Sequence, residues 1–318
     1  MKKTILASTI AALSVVSISA QAMDKPSVYG EVNLSAEYVD DYSTTPDSED
    51  ADSDTTLKSR DSFVGFKGSE GLDNGLSVVY DAQIGFEYDS QSSDDDFELR
   101  KGMLGLEGAT WGVSAGRLDN PYVSLTKDTD AFDNTLAETA TVFSSDVLER
   151  TDKSIGAHLT PVENLTLRAL VAMDADEEEL EDGDKFDSYA FTAQYDMEVA
   201  TVFGGYQTVD FEAEAADIDS YKLGAGFKPT ERTFMTLAGE RTESDEADLE
   251  RDALQLQGVY ALNQKVNLKA GIGFVDLDSD VVSTSGNIYA LGADYAVGKN
   301  TTISATLAQS EADEDVVL

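Results

Sequence analysis

Few side chains in this sequence could carry out covalent chemistry. The chain has 318 residues, a single histidine, His158, and no cysteine. Thiol catalysis, disulfides and thiolate metal sites therefore have no residues to build them. No phosphate-binding glycine loop or dinucleotide fingerprint occurs either. His158 lies in a strand-like stretch, residues 154–160, where an isolated histidine is more often structural than catalytic, so the sequence predicts that the protein is not an enzyme.

Carboxylates are the abundant functional group. The chain contains 62 Asp and Glu against 22 Lys and Arg, a formal net charge of −40. This balance excludes a nucleic-acid partner, because binding phosphates requires basic side chains. Residues 174–184 hold eight acids but lack the Asp-x-Asp-x-Asp-Gly spacing of an EF-hand calcium loop. We interpret this run as solvated charge and predict no cofactor.

The acids are concentrated in a few parts of the chain. Forty of them fall in eight windows without Lys or Arg: 40–54, 89–96, 128–138, 174–184, 210–219, 243–250, 276–280 and 311–315. Seven short connections rich in turn residues alternate with these windows: 68–75, 107–112, 160–165, 195–200, 228–232, 262–266 and 297–301. Interpreted as loops and turns, these fifteen connections predict sixteen strands.

The segments between the connections alternate apolar and polar residues with a period of two. In residues 76–88, seven apolar or aromatic residues share one parity and Val79 is the one apolar exception; residues 28–38 and 266–274 repeat the pattern. Such alternation is typical of strands with one apolar face, and several runs are long enough to cross a membrane. The sequence thus predicts an all-β, 16-stranded antiparallel transmembrane β-barrel with short periplasmic turns and long acidic extracellular loops. A soluble, secreted β-sandwich is the alternative.

Both ends of the chain carry their own signals. Residues 1–22 have a short basic start, an apolar stretch and a small-x-small ending, which predicts a secretory signal peptide cleaved between Ala22 and Met23. Residues 23–318 would then form the barrel. Only three residues follow the last acidic window, too few to cross a membrane, so we expect the final strand to be truncated after Leu318.

Two hairpins make the prediction more specific. Residues 59–76 read SRDSFVGFKGSEGLDNGL, and residues 100–121 contain RKGMLGLEG followed by GVSAGRLDNP. Both segments resemble the early hairpins of the trimeric general porins of Gram-negative bacteria, gammaproteobacterial type. The resemblance extends over nearly the whole chain, although its sharp motifs lie in residues 59–121.

The resemblance implies a homotrimer of barrels, each with a water-filled pore narrowed by an inward-folded third loop, here residues 118–143. It also implies that acids on this loop face arginines on the opposite wall. The candidates for the basic side are Arg60, Arg100, Arg117 and Arg150, and those for the acidic side are Asp128, Asp130 and Asp133.

The function implied is passive diffusion of ions and small hydrophilic solutes across the cell outer membrane. Because carboxylate rings favour cations, we expect weak cation selectivity. A substrate-specific porin, and a non-channel barrel acting as an adhesin or structural protein through its acidic loops, stay as alternatives. The expected partners are outer-membrane lipid and lipopolysaccharide, to which Ca²⁺ or Mg²⁺ could weakly bridge the acidic loops.

Overall fold

The computed structural model describes residues 3–15, 26–42, 52–87, 97–144, 148–173, 188–211, 216–244, 248–279 and 282–316. Nearly all of these residues are in strands. The first strands are β1 Lys3–Val15, β2 Ser27–Glu31, β3 Leu34–Tyr42, β4 Asp52–Ser59, β5 Phe63–Gly71, β6 Ser77–Phe86, β7 Phe97–Glu107, β8 Trp111–Asp119 and β9 Arg150–Val162. The others are β10 Leu165–Ala172, β11 Ser188–Asp196, β12 Ala200–Phe211, β13 Ala216–Thr230, β14 Thr233–Ser244, β15 Leu249–Ala261, β16 Val266–Ser279, β17 Val282–Ala296 and β18 Thr301–Val316.

These strands form one antiparallel sheet that returns to its start. From β5 to β18, each strand pairs with the next one along the chain. The ring closes because β1 pairs with β18 on one side and with β3 on the other. Two crossings of the wall are interrupted: β2 and β3 together make one, and β4 and β5 together make the next. β3 pairs with β4, and β2 pairs with β5. The eighteen segments therefore occupy sixteen positions around a barrel, fifteen of them filled by residues 27–316 and one by β1. The all-β barrel fold class is confirmed, but the sixteenth strand was predicted after residue 315 and not within residues 1–22.

Turns and loops alternate around this ring as predicted. All seven short connections are present, each joining two paired strands; residues 163–164, for example, link β9 to β10. Among the described residues, no helix is long and apolar enough to cross a membrane.

Several acidic windows predicted as loops are in fact strand ends. The β12–β13 ladder continues through Asp210↔Asp217, and the β17–β18 ladder continues to Val282↔Val316. The windows 210–219, 276–280 and 311–315 are therefore largely strand, and the prediction of an eighth loop at 311–315 was wrong. The physical reason is that ladder hydrogen bonds need only the backbone. Where both faces of a hairpin contact water, apolar alternation ends while pairing continues.

The N-terminal segment takes part in the ring. In β1, Lys3 pairs with Ala312 of β18 and Leu6 pairs with Asp40 of β3. The predicted cleavage site at Ala22 and Met23 lies outside the described residues. Removal of residues 1–22 stays a prediction, and the structure presents the chain with this segment in place.

Successive side chains along each strand point to opposite faces of the wall. Leu223 and Leu291 are 74% and 66% exposed on the outer face, whereas the adjoining Lys222 and Ala290 are buried on the inner face at 3% and 5%. An outer apolar face with an inner polar face is the pattern of a membrane barrel. The inner face is buried along β10–β18 because part of the chain lies inside the barrel there.

Candidate pore constriction

The segment between β8 and β9 folds into the lumen. It begins at Asn120, the N-cap of helix α1 (Pro121–Lys127), continues through a 3₁₀ turn at Thr139–Thr141, and ends at Glu149. Residues 145–147 are outside the described chain. The Asn120 side chain caps the helix by accepting from the Tyr122 amide at 3.0 Å. We call residues 120–149 the constriction loop; it confirms the predicted inward-folded loop, with bounds slightly later than 118–143.

One side of this loop packs tightly on the β12–β17 wall. Phe132, Val142 and Phe143 have no exposed surface, and Val142 and Phe143 form a cluster with Leu125 of α1 and wall residues that include Phe203. The close approach explains the glycines of β16. A Cβ on Gly273 would lie 2.5 Å from Val142 Cγ2, too near for any side chain to fit without displacing the loop.

Hydrogen bonds and an ion pair also fix the orientation of the loop on the wall. The Ala131 amide donates to Gln257 Oε1 at 2.6 Å, and the Arg251 guanidinium donates to the Val142 carbonyl at 2.5 Å. Beneath α1 lies a buried ion pair, Lys222 Nζ to Glu240 Oε2 at 3.4 Å, with both side chains at 0% exposure. The Tyr122 hydroxyl donates to the same Glu240 oxygen at 3.2 Å, so the helix is tied to the wall through a desolvated charge pair.

The opposite wall is irregular at the height of the loop. Asp61 breaks the β4–β5 crossing with a φ of 50°, and the β6–β7 register shifts between Gln83 and Ile84. A third shift lies at Gly116, whose φ is 135°. Bulges re-aim side chains. At the register shift between β6 and β7, the consecutive residues Arg100 and Lys101 both contact carboxylates on the lumen side, Asp61 and Asp119.

The predicted basic residues separate into two groups. Arg60, Arg100 and Arg150 lie at the constriction, where each has an acidic partner. Arg60 Nε donates to Glu37 Oε1 at 2.5 Å, and Arg60 Nη1 lies 3.8 Å from Glu138 of the loop. Arg100 Nη1 lies 2.6 Å from Asp61 Oδ1.

Arg150 and Arg117 lie on different sides of the wall. Arg150 Nε is 3.5 Å from Asp119 Oδ1, on the lumen side. Arg117 pairs in register with Gly102 and shares the face of Leu104, which is 63% exposed on the outside. Its guanidinium contacts Asp152 at 2.5 Å, and its Nε donates to the Arg100 backbone carbonyl at 3.1 Å. Arg117 therefore contacts the backbone of Arg100, but its side chain lies on the opposite face of the wall from the side chains of the other three arginines.

The three predicted loop acids occupy different environments. Asp128 lines the lumen cavity at the end of α1. Asp130 is used inside the loop, where its Oδ1 accepts from the Phe132 amide at 2.8 Å and its Oδ2 from the Thr139 amide at 2.7 Å. Asp133 lies 4.0 Å from Lys127 Nζ. Burial raises the pKa of all three carboxyls above the usual range, that of Asp133 to about 6.

Other charged residues of the site were not predicted. The charged partners of the predicted arginines and of the loop are five further residues: Glu37, Asp61, Asp119, Lys127 and Glu149. Glu138 faces Arg60, and burial raises the pKa of its carboxyl to about 7. Asp61 could have been suspected, because it directly follows Arg60 inside the recognised motif. Among the described residues, no group of three or more acidic or histidine side chains is arranged to hold a metal ion.

The wall, the turns and the inward loop together define an outer-membrane type barrel with a charged constriction. Comparison with known proteins agrees. A family model described as Gram-negative porin matches residues 7–315. The chain therefore belongs to the Gram-negative porin family, which places it in the outer membrane and makes it a channel-type protein rather than an enzyme.

Individual relatives are more distant. The chain is 30% identical over 155 residues to the major outer membrane protein P.IB of Neisseria sicca, a match covering 48% of this chain and 41% of that protein. The anion-selective porin from Comamonas acidovorans superposes over all of both chains with a TM-score of 0.67 at 13% identity. The trimer form of OmpT from Vibrio cholerae gives a TM-score of 0.64 at 10% identity over 99% of both chains. These structural likenesses show the fold alone.

Proposed function

We propose that the protein is a general diffusion porin with a weakly cation-selective, water-filled pore. One observation carries this proposal. The lumen cavity beside the constriction loop, about 440 Å³, is lined by more carboxylates than cations. The carboxylates are Asp119, Asp128, Asp130, Asp133 and Glu149, and the cations are Arg100, Lys127 and Arg150.

The sign of the selectivity follows from this surplus. In an aqueous pore, an excess of fixed carboxylates raises the local concentration of cations and lowers that of anions. The acidic sequence windows add negative potential of the same sign. The excess is small and most lining acids have cationic neighbours, so the preference should be weak. The opposite preference of the Comamonas porin named above is no obstacle, since charged side chains rather than the fold set the sign.

Reversal potentials in a KCl gradient test the proposal with the purified protein in planar bilayers. We expect a sign that reports K⁺ passing more readily than Cl⁻. An anion-selective sign would refute the cation preference. Liposome swelling with sugars of graded size tests the general pore: the rate should fall smoothly with solute size. Absence of permeability would favour the adhesin or structural alternative, and uptake of one sugar far above its size would favour a specific porin.

Assembly and lipid contacts extend the proposal. A homotrimer is supported by the family and by the trimer form of the Vibrio relative. Contact with lipopolysaccharide, weakly bridged by Ca²⁺ or Mg²⁺, is supported only by the acidic windows, and the run 174–184 lies outside the described residues. If bridging matters, EDTA should lower the dissociation temperature of the trimer in lipopolysaccharide. An unchanged temperature would count against it.

A further inference from the structure

Asp61 lies where three elements of the constriction meet. Its carboxylate contacts Arg100 of β7 twice, Nη1 to Oδ1 at 2.6 Å and Nη2 to Oδ2 at 2.6 Å. It also lies 3.3 Å from Lys127 Nζ of helix α1 and 3.9 Å from Arg150 Nη2 of β9. A single acid on the wall therefore neighbours two wall cations and the one cation that the helix brings from the loop.

The backbone at this position is arranged to present the carboxylate. Asp61 has a φ of 50° between β4 and β5, in the left-handed region that Asp and Asn tolerate better than most residues. Arg100 Nη1 also donates to the Asp61 backbone carbonyl at 2.8 Å, which fixes the bend to β7. Ser62 stabilises the interruption between β4 and β5, because its hydroxyl accepts a hydrogen bond from the Asn33 amide at 2.9 Å.

We propose that Asp61 is a specificity-determining residue of the constriction, which neutralises Arg100 and Lys127 and so keeps the loop carboxylates in surplus. This inference rests on the proposed channel function. On the loop itself, Lys127 Nζ contacts Glu149 and lies 4.0 Å from Asp133, and both acids line the cavity. Without the Asp61 charge, the whole charge of Lys127 falls on these two lining acids and offsets them, while Arg100 faces the lumen without its bidentate partner.

The test compares Asp61→Asn with the wild type in a KCl gradient across planar bilayers. Asn keeps the left-handed backbone accessible and removes only the charge. We expect the K⁺/Cl⁻ permeability ratio to fall about threefold, the effect of one unit charge a few ångströms from the ion path in water. Asp73→Asn, at an exposed turn between β5 and β6, is the matched control and should keep the wild-type ratio.

Lys127→Gln and the double variant separate a selectivity role from a merely structural one. Lys127→Gln should raise the ratio about threefold, and Asp61→Asn should have a smaller effect in the Lys127→Gln background than in the wild type. A conducting wild type with an unchanged ratio in Asp61→Asn would overturn the inference. If Asp61→Asn does not assemble, an unchanged ratio in Lys127→Gln would overturn it instead. A wild type that does not conduct would defeat the proposed function as well.

Crosslinking checks the bridge independently of conduction. Because the chain has no cysteine, Asp61→Cys with Lys127→Cys introduces the only two thiols. A bifunctional, thiol-cleavable crosslinker with a spacer about as long as the lysine side chain it replaces should join them in the folded protein, whereas a direct disulfide would need closer Cα atoms. The product is detected by a shift in gel mobility that a reductant reverses. Asp61→Cys with Asp196→Cys, where the second site lies at the end of β11, should not crosslink. Failure of the 61–127 pair to form would show that the wall and the loop do not meet there, and would overturn the inference.

Discussion

Both sides of the constriction loop contain ion pairs, but the two sets differ in their exposure to water. On the β12–β15 side, the Lys222 and Glu240 side chains have 0% exposure and lie under Tyr122. On the β4–β9 side, the side chains of Asp61, Lys127 and Arg150 keep between 14% and 29% exposure and line or border the cavity. We call Lys222 and Glu240 the dry pair, and Asp61, Lys127 and Arg150 the wet group. The dry pair attaches the loop to the wall, while the wet group lies where ions would pass.

Exposure to water determines whether an ion pair mainly affects the stability of the loop or the selectivity of the pore. Water screens the wet pairs, so each adds little to stability although its charge can still act on an ion in the pore. The dry pair is hidden from the pore, and loss of one partner would leave an uncompensated charge. Variants on the dry side should therefore change stability and loop position, whereas variants on the wet side should change selectivity.

The largest effect is expected on the dry side. Glu240→Ala leaves the Lys222 ammonium buried without its carboxylate and removes the acceptor of the Tyr122 hydroxyl. Breaking such a pair typically costs about 3–5 kcal/mol. We expect a lower thermal dissociation temperature in heat-modifiability gels, together with larger and noisier single-channel currents as the loop leaves the wall.

The matched control removes both charges. Lys222→Met with Glu240→Leu replaces the pair by apolar side chains of similar size, a change that is often neutral. Its dissociation temperature should lie closer to the wild type than that of Glu240→Ala. Arg251 Nη1, 3.9 Å from Glu240 Oε1, loses this carboxylate in both variants. If the single and double variants are equally destabilised, the Lys222–Glu240 pair is therefore not the interaction that holds the loop.

The sequence predicted the wall better than the site, for a physical reason. Alternation over residues 76–88 reports a local property, the side of a strand that each residue faces, and it placed β6 correctly. The partners of Arg60 and Arg100 depend on breaks in that alternation at Asp61 and near Gln83, which no periodic pattern contains. Arg117 illustrates a different limit: its unbroken register with Gly102 places it on the outer face with Val113 and Ala115, as simple alternation indicates, whereas the motif resemblance assigned it to the lumen.

The buried anchors were hidden for a related reason. Lys222 and Glu240 look in the sequence like ordinary polar residues of alternating strands. Their burial follows from a loop that comes from far away in the chain and covers them. Only the tertiary arrangement distinguishes them from lumen residues that face water.

A smaller effect is expected when the lining acids are neutralised together. Asp128→Asn, Asp130→Asn and Asp133→Asn remove the negative surplus of the cavity, so the K⁺/Cl⁻ permeability ratio should fall, by up to about threefold for each charge that acts on the ion path. Asp130 should contribute least, because two backbone amides already hold its carboxylate. The reversal potential in a KCl gradient measures the change.

Three acids at exposed turns provide the control. Asp73→Asn, Glu163→Gln and Glu231→Gln remove the same number of charges from short turns, away from the cavity. They should leave the ratio near that of the wild type. Equal losses in the two triple variants would mean that total charge, rather than the constriction loop, sets the selectivity.

The smallest effect is expected from pH, and its sign can be worked out. Burial raises the pKa of the Glu138 carboxyl to about 7 and that of Asp133 to about 6. As the pH falls from about 8 to about 5, Glu138 loses its charge first and Asp133 follows, while the lysine and arginines stay charged. The K⁺/Cl⁻ ratio should therefore decrease on acidification.

Stability should change with pH in the opposite direction. Each carboxyl has a folded-state pKa above its unfolded value, so its contribution to stability is fully present below about pH 4 and is lost as the pH rises through 6 to 7. The loop should thus be held more firmly at the acidic end, where selectivity is weakest. Asp133→Asn with Glu138→Gln keeps both groups neutral and should flatten the pH profiles of ratio and melting between about pH 5 and 8. If the profiles of this variant keep their slope, the titrating groups lie elsewhere, and the wet side of the loop does not control the charge of the pore.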